Sequence, residues 1–127
     1  MIHCIEPSIY DTQNKELIEE PNAAEIHATL FSLNIDRTAS PDGFTNNFFM
    51  LYWEIVHIEL INAVREFFTH VSMPYGTNSN FIALIPKKDN AIYIRYFRPA
   101  AIGNSVPKVI SKIMTQRPGE IAKKFIS

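Results

Sequence analysis

The stretch FIALIPKKDNAIYIRYF, Phe81 to Phe97, decides how the rest of the chain is read. Its first six residues are a short apolar run closed by Pro86, which reads as a buried strand that ends there. Its last seven, AIYIRYF, alternate Ile92, Ile94 and Tyr96 against Tyr93, Arg95 and Phe97, the period of two expected of a second strand. KKDNA between them suits the tip of a β-hairpin. A plain turn more often uses Gly, Asn or Ser. Two lysines at a strand end therefore raise a question: they either solubilise a loop or face a polyanion.

Working outward, helical periodicities flank this unit. Upstream, Phe49, Trp53, Val56, Leu60, Val64, Phe67 and Val71 recur every three or four residues, predicting one long amphipathic helix or two with a break near His57. Phe48, Tyr52 and Phe68 widen that stripe, placing the element in the middle of a core, with Trp53 and the phenylalanines as core residues. Downstream, NSVPKVISKIMTQ predicts a final helix with Val109, Ile110, Ile113 and Met114 inward, Lys108 and Lys112 outward, and Pro118-Gly119 ending it. Earlier in the chain, Asn22 with Glu25 three residues on has the spacing of a capping box, and Ile26, Leu30 and Leu33 form one apolar stripe after it. Pro41-Asp42-Gly43 is strong turn chemistry. Residues 1–20 are polar and acidic and read as a tail or loosely docked arm. The fold class expected is α+β: a mainly helical unit with one small β-hairpin.

A chain of 127 residues, 46% hydrophobic and 20% charged, has the composition of one ordered domain or a piece of one. The net charge of −1 hides a division. Residues 1–66 hold three basic and eleven acidic groups, net −8, while residues 67–127 hold nine basic and two acidic groups, net +7. Such asymmetry suits a second half that meets phosphate, or two halves that attract each other. The single cysteine, Cys4, excludes an internal disulfide framework and agrees with a reducing compartment. No apolar run is long enough to span a membrane and the N-terminus has no secretory pattern, so the location expected is intracellular, cytoplasmic or nuclear.

Catalytic chemistry is harder to find. His3, His27, His57 and His70 share no helix-face spacing, which argues against structural zinc. There is no nucleophile-elbow motif and no Gly-rich phosphate loop. The four aspartates, Asp11, Asp36, Asp42 and Asp89, are scattered, whereas two-metal phosphoryl transfer needs carboxylates gathered around ions about 3.5–4 Å apart. No catalytic residue and no metal ligand is assigned.

The order of motifs is more specific than any one of them. SPDGFTNNFFMLYWEIV, FFTHVSMP, NSNFIALIPKK, YFRPAAIGN and PKVISKIMTQR, taken in sequence, resemble the first part of the reverse transcriptase domain of plant non-LTR (LINE-type) retrotransposons. The similarity runs from the neighbourhood of Asn14, Leu17 and Pro21 to the C-terminal FIS. The chain departs from the family pattern where TASPDG stands for SPGPDG, where RPAAI stands for RPISL, at Pro107, and at Pro118-Gly119.

The resemblance implies that residues 21–127 are a partial reverse transcriptase domain, the fingers of a right-hand polymerase fold. It implies that the hairpin closes over a nucleoside triphosphate, with Lys87 of the IPK element and Arg98 of the RP element binding its phosphates. Lys88, Arg95, Lys108 and Lys112 are then candidates for contacts to a nucleic-acid backbone, and the SPDG loop would lie near an RNA template. The palm, with the aspartates that hold Mg²⁺ in the intact family, is absent from these residues. The function expected is that of a truncated reverse transcriptase-like protein (RNA-directed DNA polymerase family) from a transposable element, inactive alone. Its partners would be RNA template and primer, nucleoside triphosphate, and the missing palm. The alternative is a retained helical module for RNA, DNA or protein binding.

Overall fold

A computed structural model of the chain describes residues 10–34, 40–73 and 75–123. Among the described residues five α-helices form the body: α1 (Asp11–Ile18), α2 (Ala23–Phe31), α3 (Asn46–Leu51), α4 (Trp53–His70) and α5 (Ser105–Lys123). Between α4 and α5 the chain forms two antiparallel strands, β1 (Asn80–Pro86) and β2 (Phe97–Gly103). The architecture is α+β, as the mixed periodicities predict. No helix among the described residues is long and apolar enough to cross a membrane.

The core follows the apolar stripes. Ile26 and Leu30 of α2, Leu60, Ile61 and Val64 of α4, and Val109, Ile110 and Ile113 of α5 make one buried cluster. Each such side chain contributes about 1.5–3 kcal/mol when removed from water. Asn22 caps α2 by accepting from the Glu25 amide at 2.8 Å. Phe49, Trp53, Phe67 and Phe68 lean on the cluster from its margin, half-buried. Tyr52 of the aromatic stripe is exposed, and so are Phe31, Phe44 and Phe81, so the aromatic residues are only partly core. Part of the segment read as a tail or arm is α1, which packs on α5.

FIALIP is a strand but an exposed one, not the buried one expected, and three expected element boundaries need correcting. The helix break falls at Tyr52 (φ −103°, ψ 23°), not near His57. Tyr52 ends α3 by donating its amide to Phe48 O and starts α4 by accepting from Ile55 and Val56, whereas His57 Nδ1 meets Trp53 O at 3.0 Å within α4.

The second strand begins at Phe97, where Ile92–Tyr96 had been expected to pair. Ile94–Tyr96 is a 3₁₀ turn instead, closed by Tyr96 N–H donating to Tyr93 O at 2.8 Å. Pro99 lies within β2, opposite Leu84. The Lys87 amide donates to Tyr96 O at 2.7 Å, marking a hydrogen-bonded rung. Alternation then puts the Pro86–Phe97 and Leu84–Pro99 rungs at non-hydrogen-bonded positions, where a missing N–H removes no ladder bond.

Finally, α5 runs through Pro118-Gly119 to Lys123. Pro118 frees the carbonyl of Met114, which is exposed rather than inward as its spacing suggested, so water can satisfy it. Ile121, beyond Pro118-Gly119, is buried, and that burial favours continuing the helix. Pro107 lies in the first turn, where a missing N–H costs nothing.

Candidate functional site

The hairpin is the part of the molecule that the core does not claim. Its strands contact each other far more than they contact any helix. Ile82 is 74% exposed and Leu84 52%, and Phe81 and Ile85 also face solvent. Both faces of a two-stranded sheet are thus largely open, so the hairpin projects its tip into water instead of filling the interior.

A buried polar knot holds the base of this projection. Asn104, immediately after β2, accepts from the Asp42 amide at 3.2 Å and donates to Gly76 O and Thr77 O at 3.4 and 2.9 Å. One side chain therefore joins the Pro41–Gly43 turn, the loop before β1 and the start of α5. Beside it, Ser105 Oγ donates to Asn46 Oδ1 at 2.7 Å, and Asn46 Nδ2 donates to Asn34 O at 3.2 Å. Gly43, at φ 83°, makes the turn possible, and Asp42 Oδ1 accepts from the Phe44 amide at 3.0 Å. These bonds satisfy groups that would be costly to bury unpaired.

At the other end the hairpin gathers charge. Its sequence from Asn80 to Gly103 holds Lys87, Lys88, Arg95 and Arg98 against Asp89. Arg98 pairs across the ladder with Ile85. Lys87 lies one residue past the end of β1, where its amide donates to Tyr96 O. Both side chains are exposed. The Lys87 ammonium donates to Arg95 O at 3.2 Å. Lys88 Nζ lies 3.8 Å from the centre of the Tyr96 ring. Arg95 lies over Tyr93 and Tyr96 at 5.2 and 5.0 Å.

Of the six sequence-predicted contacts, four share this hairpin and two lie on α5. Lys112 donates to Ser32 O at 2.8 Å, an interaction that caps the C-terminal end of α2. Lys108 is half-buried on the preceding turn. The tyrosines were missed because their alternation was read as strand; their proximity to the cations depends on the 3₁₀ turn.

Among the described residues, no group of three or more His, Cys, Asp or Glu side chains could hold a metal ion. No reaction step is assigned to these residues. A groove of about 520 Å³ lies elsewhere, lined by Phe44, Phe48, Phe49, Val56, Leu60 and Val106 among others. It offers apolar surface with Glu59 at its wall, not a set of converging catalytic groups.

No protein-family model matches the sequence. The chain is similar to the Transposon TX1 uncharacterized 149 kDa protein of Xenopus laevis, 23% identical over 119 residues. The alignment covers 93% of this chain but 9% of that protein. The similarity supports a transposable-element origin, and the chain spans about a tenth of the length of the curated relative it matches.

Proposed function

We propose that this chain is a reverse transcriptase-like fingers fragment whose hairpin grips the phosphate tail of a nucleoside triphosphate through Lys87 and Arg98. The carrying observation is that both are exposed cations on one hairpin that projects from a helical body. Similarity to a transposon protein over nearly the whole chain supports the setting. Lysine supplies a mobile point charge, and arginine a planar fork matched to two phosphate oxygens.

In the intact enzyme the reaction would be RNA-templated nucleotidyl transfer, in which a primer 3′-hydroxyl attacks the α-phosphate. Mg²⁺ held by carboxylates outside this chain would stabilise the developing charge. Lys87 and Arg98 would orient the triphosphate and offset its charge, and they would not replace the metal ligands. Lys88 and Arg95, with Lys108 and Lys112 as further candidates, would meet template or primer phosphates. Primer extension by the chain alone is expected to give no product.

Titration of a fluorescent deoxynucleoside triphosphate tests the grip. Lys87→Ala and Arg98→Ala should each weaken binding about tenfold, the scale of a charge-assisted hydrogen bond. Wild-type affinity in both variants removes the proposal.

The exposed apolar hairpin and the groove beside α3 and α4 favour a second reading, an interaction module without nucleotide binding. That reading predicts no triphosphate binding by the wild-type chain, and capture of a protein partner that Ile82→Lys abolishes.

A further inference from the structure

Two tyrosines at the hairpin tip play no part in the phosphate grip. Tyr93 and Tyr96 meet edge to face, with ring centres 5.9 Å apart and planes at 69°. Arg95 lies over both rings, and its Nη2 donates to the Tyr96 hydroxyl at 3.2 Å. Lys88 occupies a face of Tyr96. Neither ring is buried in the core, and Tyr93 is 60% exposed.

A large aromatic ring gains most of its free energy by leaving water. Here the fold leaves Tyr93 in water beside cations that steady its neighbour. That combination suits one ligand chemistry in particular, an unpaired nucleobase between phosphates. Every base has a π face that stacks on an aromatic ring whatever the sequence, and each linking phosphate carries a negative charge for Lys or Arg. A duplex fits less well, because its bases already stack on one another and present only their edges. Rings held in place by Arg95 and Lys88 also lose little freedom on binding.

We propose that the hairpin tip is a platform for single-stranded nucleic acid, in which Tyr93 stacks on an unpaired base while Lys88 and Arg95 meet the flanking phosphates. This site is separate from the triphosphate grip: it needs a base and a strand backbone, and it uses neither Lys87 nor Arg98.

Fluorescence anisotropy of labelled oligo(dT) and oligo(rU) with the full chain tests it, with inorganic polyphosphate as a ligand that has charge but no bases. Tyr93→Ala should weaken oligonucleotide binding about tenfold, the scale of one base–aromatic stack. It should leave polyphosphate binding unchanged, and Tyr93→Phe should retain wild-type affinity. Binding of the wild-type chain should fall steeply as salt rises. Tighter binding of one oligonucleotide identifies DNA or RNA as the preferred strand. Three results overturn the platform: no oligonucleotide binding at low salt, wild-type affinity in Tyr93→Ala, or an equal loss for polyphosphate. The triphosphate titration with Arg98→Ala reads the grip separately, so either site can fail while the other stands.

Discussion

Glu25 and Arg117 form a two-pronged ion pair between α2 and α5, with Nε to Oε1 at 2.8 Å and Nη2 to Oε2 at 2.7 Å. The same guanidinium donates through Nη1 to Leu17 O at 3.2 Å and Glu19 O at 2.6 Å, and it lies 5.4 Å from the centre of the Phe68 ring. One side chain thus ties the end of α1, the start of α2 and the last turns of α4 to α5. The Glu25 hydrogen bond raises the Arg117 pKa above its ordinary value, against the opposing effect of burial. A raised pKa contributes stability that is present below the unfolded value and is lost only as pH climbs through the folded one. The contribution is therefore constant across neutral pH and disappears only in strong alkali.

Arg117→Ala should lower folding stability by about 2 kcal/mol, the range for hydrogen bonds to charged groups. The pair is mostly sheltered, with 15% and 31% of the two side chains exposed, so solvent screens it only in part. Arg117→Lys should retain the charge yet lose most of the same stability, because an ammonium cannot reproduce the fork. Urea midpoints measure both, and an unmoved midpoint in Arg117→Ala would show the junction to be energetically idle.

Changes at Pro118 and Gly119 within α5 should act in the opposite direction. Pro118→Ala restores an amide that can donate to Met114 O and should stabilise the fold, by up to about 3 kcal/mol. Gly119→Ala adds a methyl group with open space around it and should contribute roughly 0.5–1 kcal/mol. Calorimetry should show both thermal midpoints rising. A fall in either would mean that Pro118-Gly119 positions Ile121 for burial.

At the end of α4, Val71 adopts the left-handed conformation, φ 53° and ψ 31°, with its side chain 80% exposed. A β-branched residue is strained there and has little packing to offset the strain. Val71→Gly should raise stability by about 1 kcal/mol, measured as a shift in urea midpoint at unchanged slope. Destabilisation by that substitution would count against the αL cap.

Ile82 and Leu84 lie two residues apart on the same face of β1, both exposed, on a sheet that has two strands among the described residues. Such a face is prone to self-association. Ile82→Lys and Leu84→Lys should lower light scattering at raised protein concentration while leaving the helical circular dichroism unchanged. Equal scattering in the wild type and both variants would acquit the hairpin.

Legibility of the fold varied with the range of the forces involved. Asn22 could be recognised as a cap and Ile26, Leu30, Leu60 and Val64 as core because each signal acts within a few residues. The existence of a hairpin was also readable, but its second strand was displaced by six residues. Ile92–Phe97 alternates like a strand, yet pairing depends on which amides face inward, and the prolines become acceptable only once the register is known. The candidate site was half visible. Lys87 and Arg98 stand out in the sequence, whereas the meeting of Tyr93 and Tyr96 with Lys88 and Arg95 follows from a 3₁₀ turn that periodicity concealed.

By itself the sequence determined the apolar faces of the helices, the sharp turn at Gly43 and a strand that ends in charge, since side-chain spacing and backbone preference are local properties. Only the tertiary structure decided that α5 passes Pro118, that β2 begins at Phe97, and that Arg117 closes onto a carboxylate 92 residues away. These outcomes depend on what distant segments bury and which polar groups they pair, and such free energies exceed the local preferences that they override.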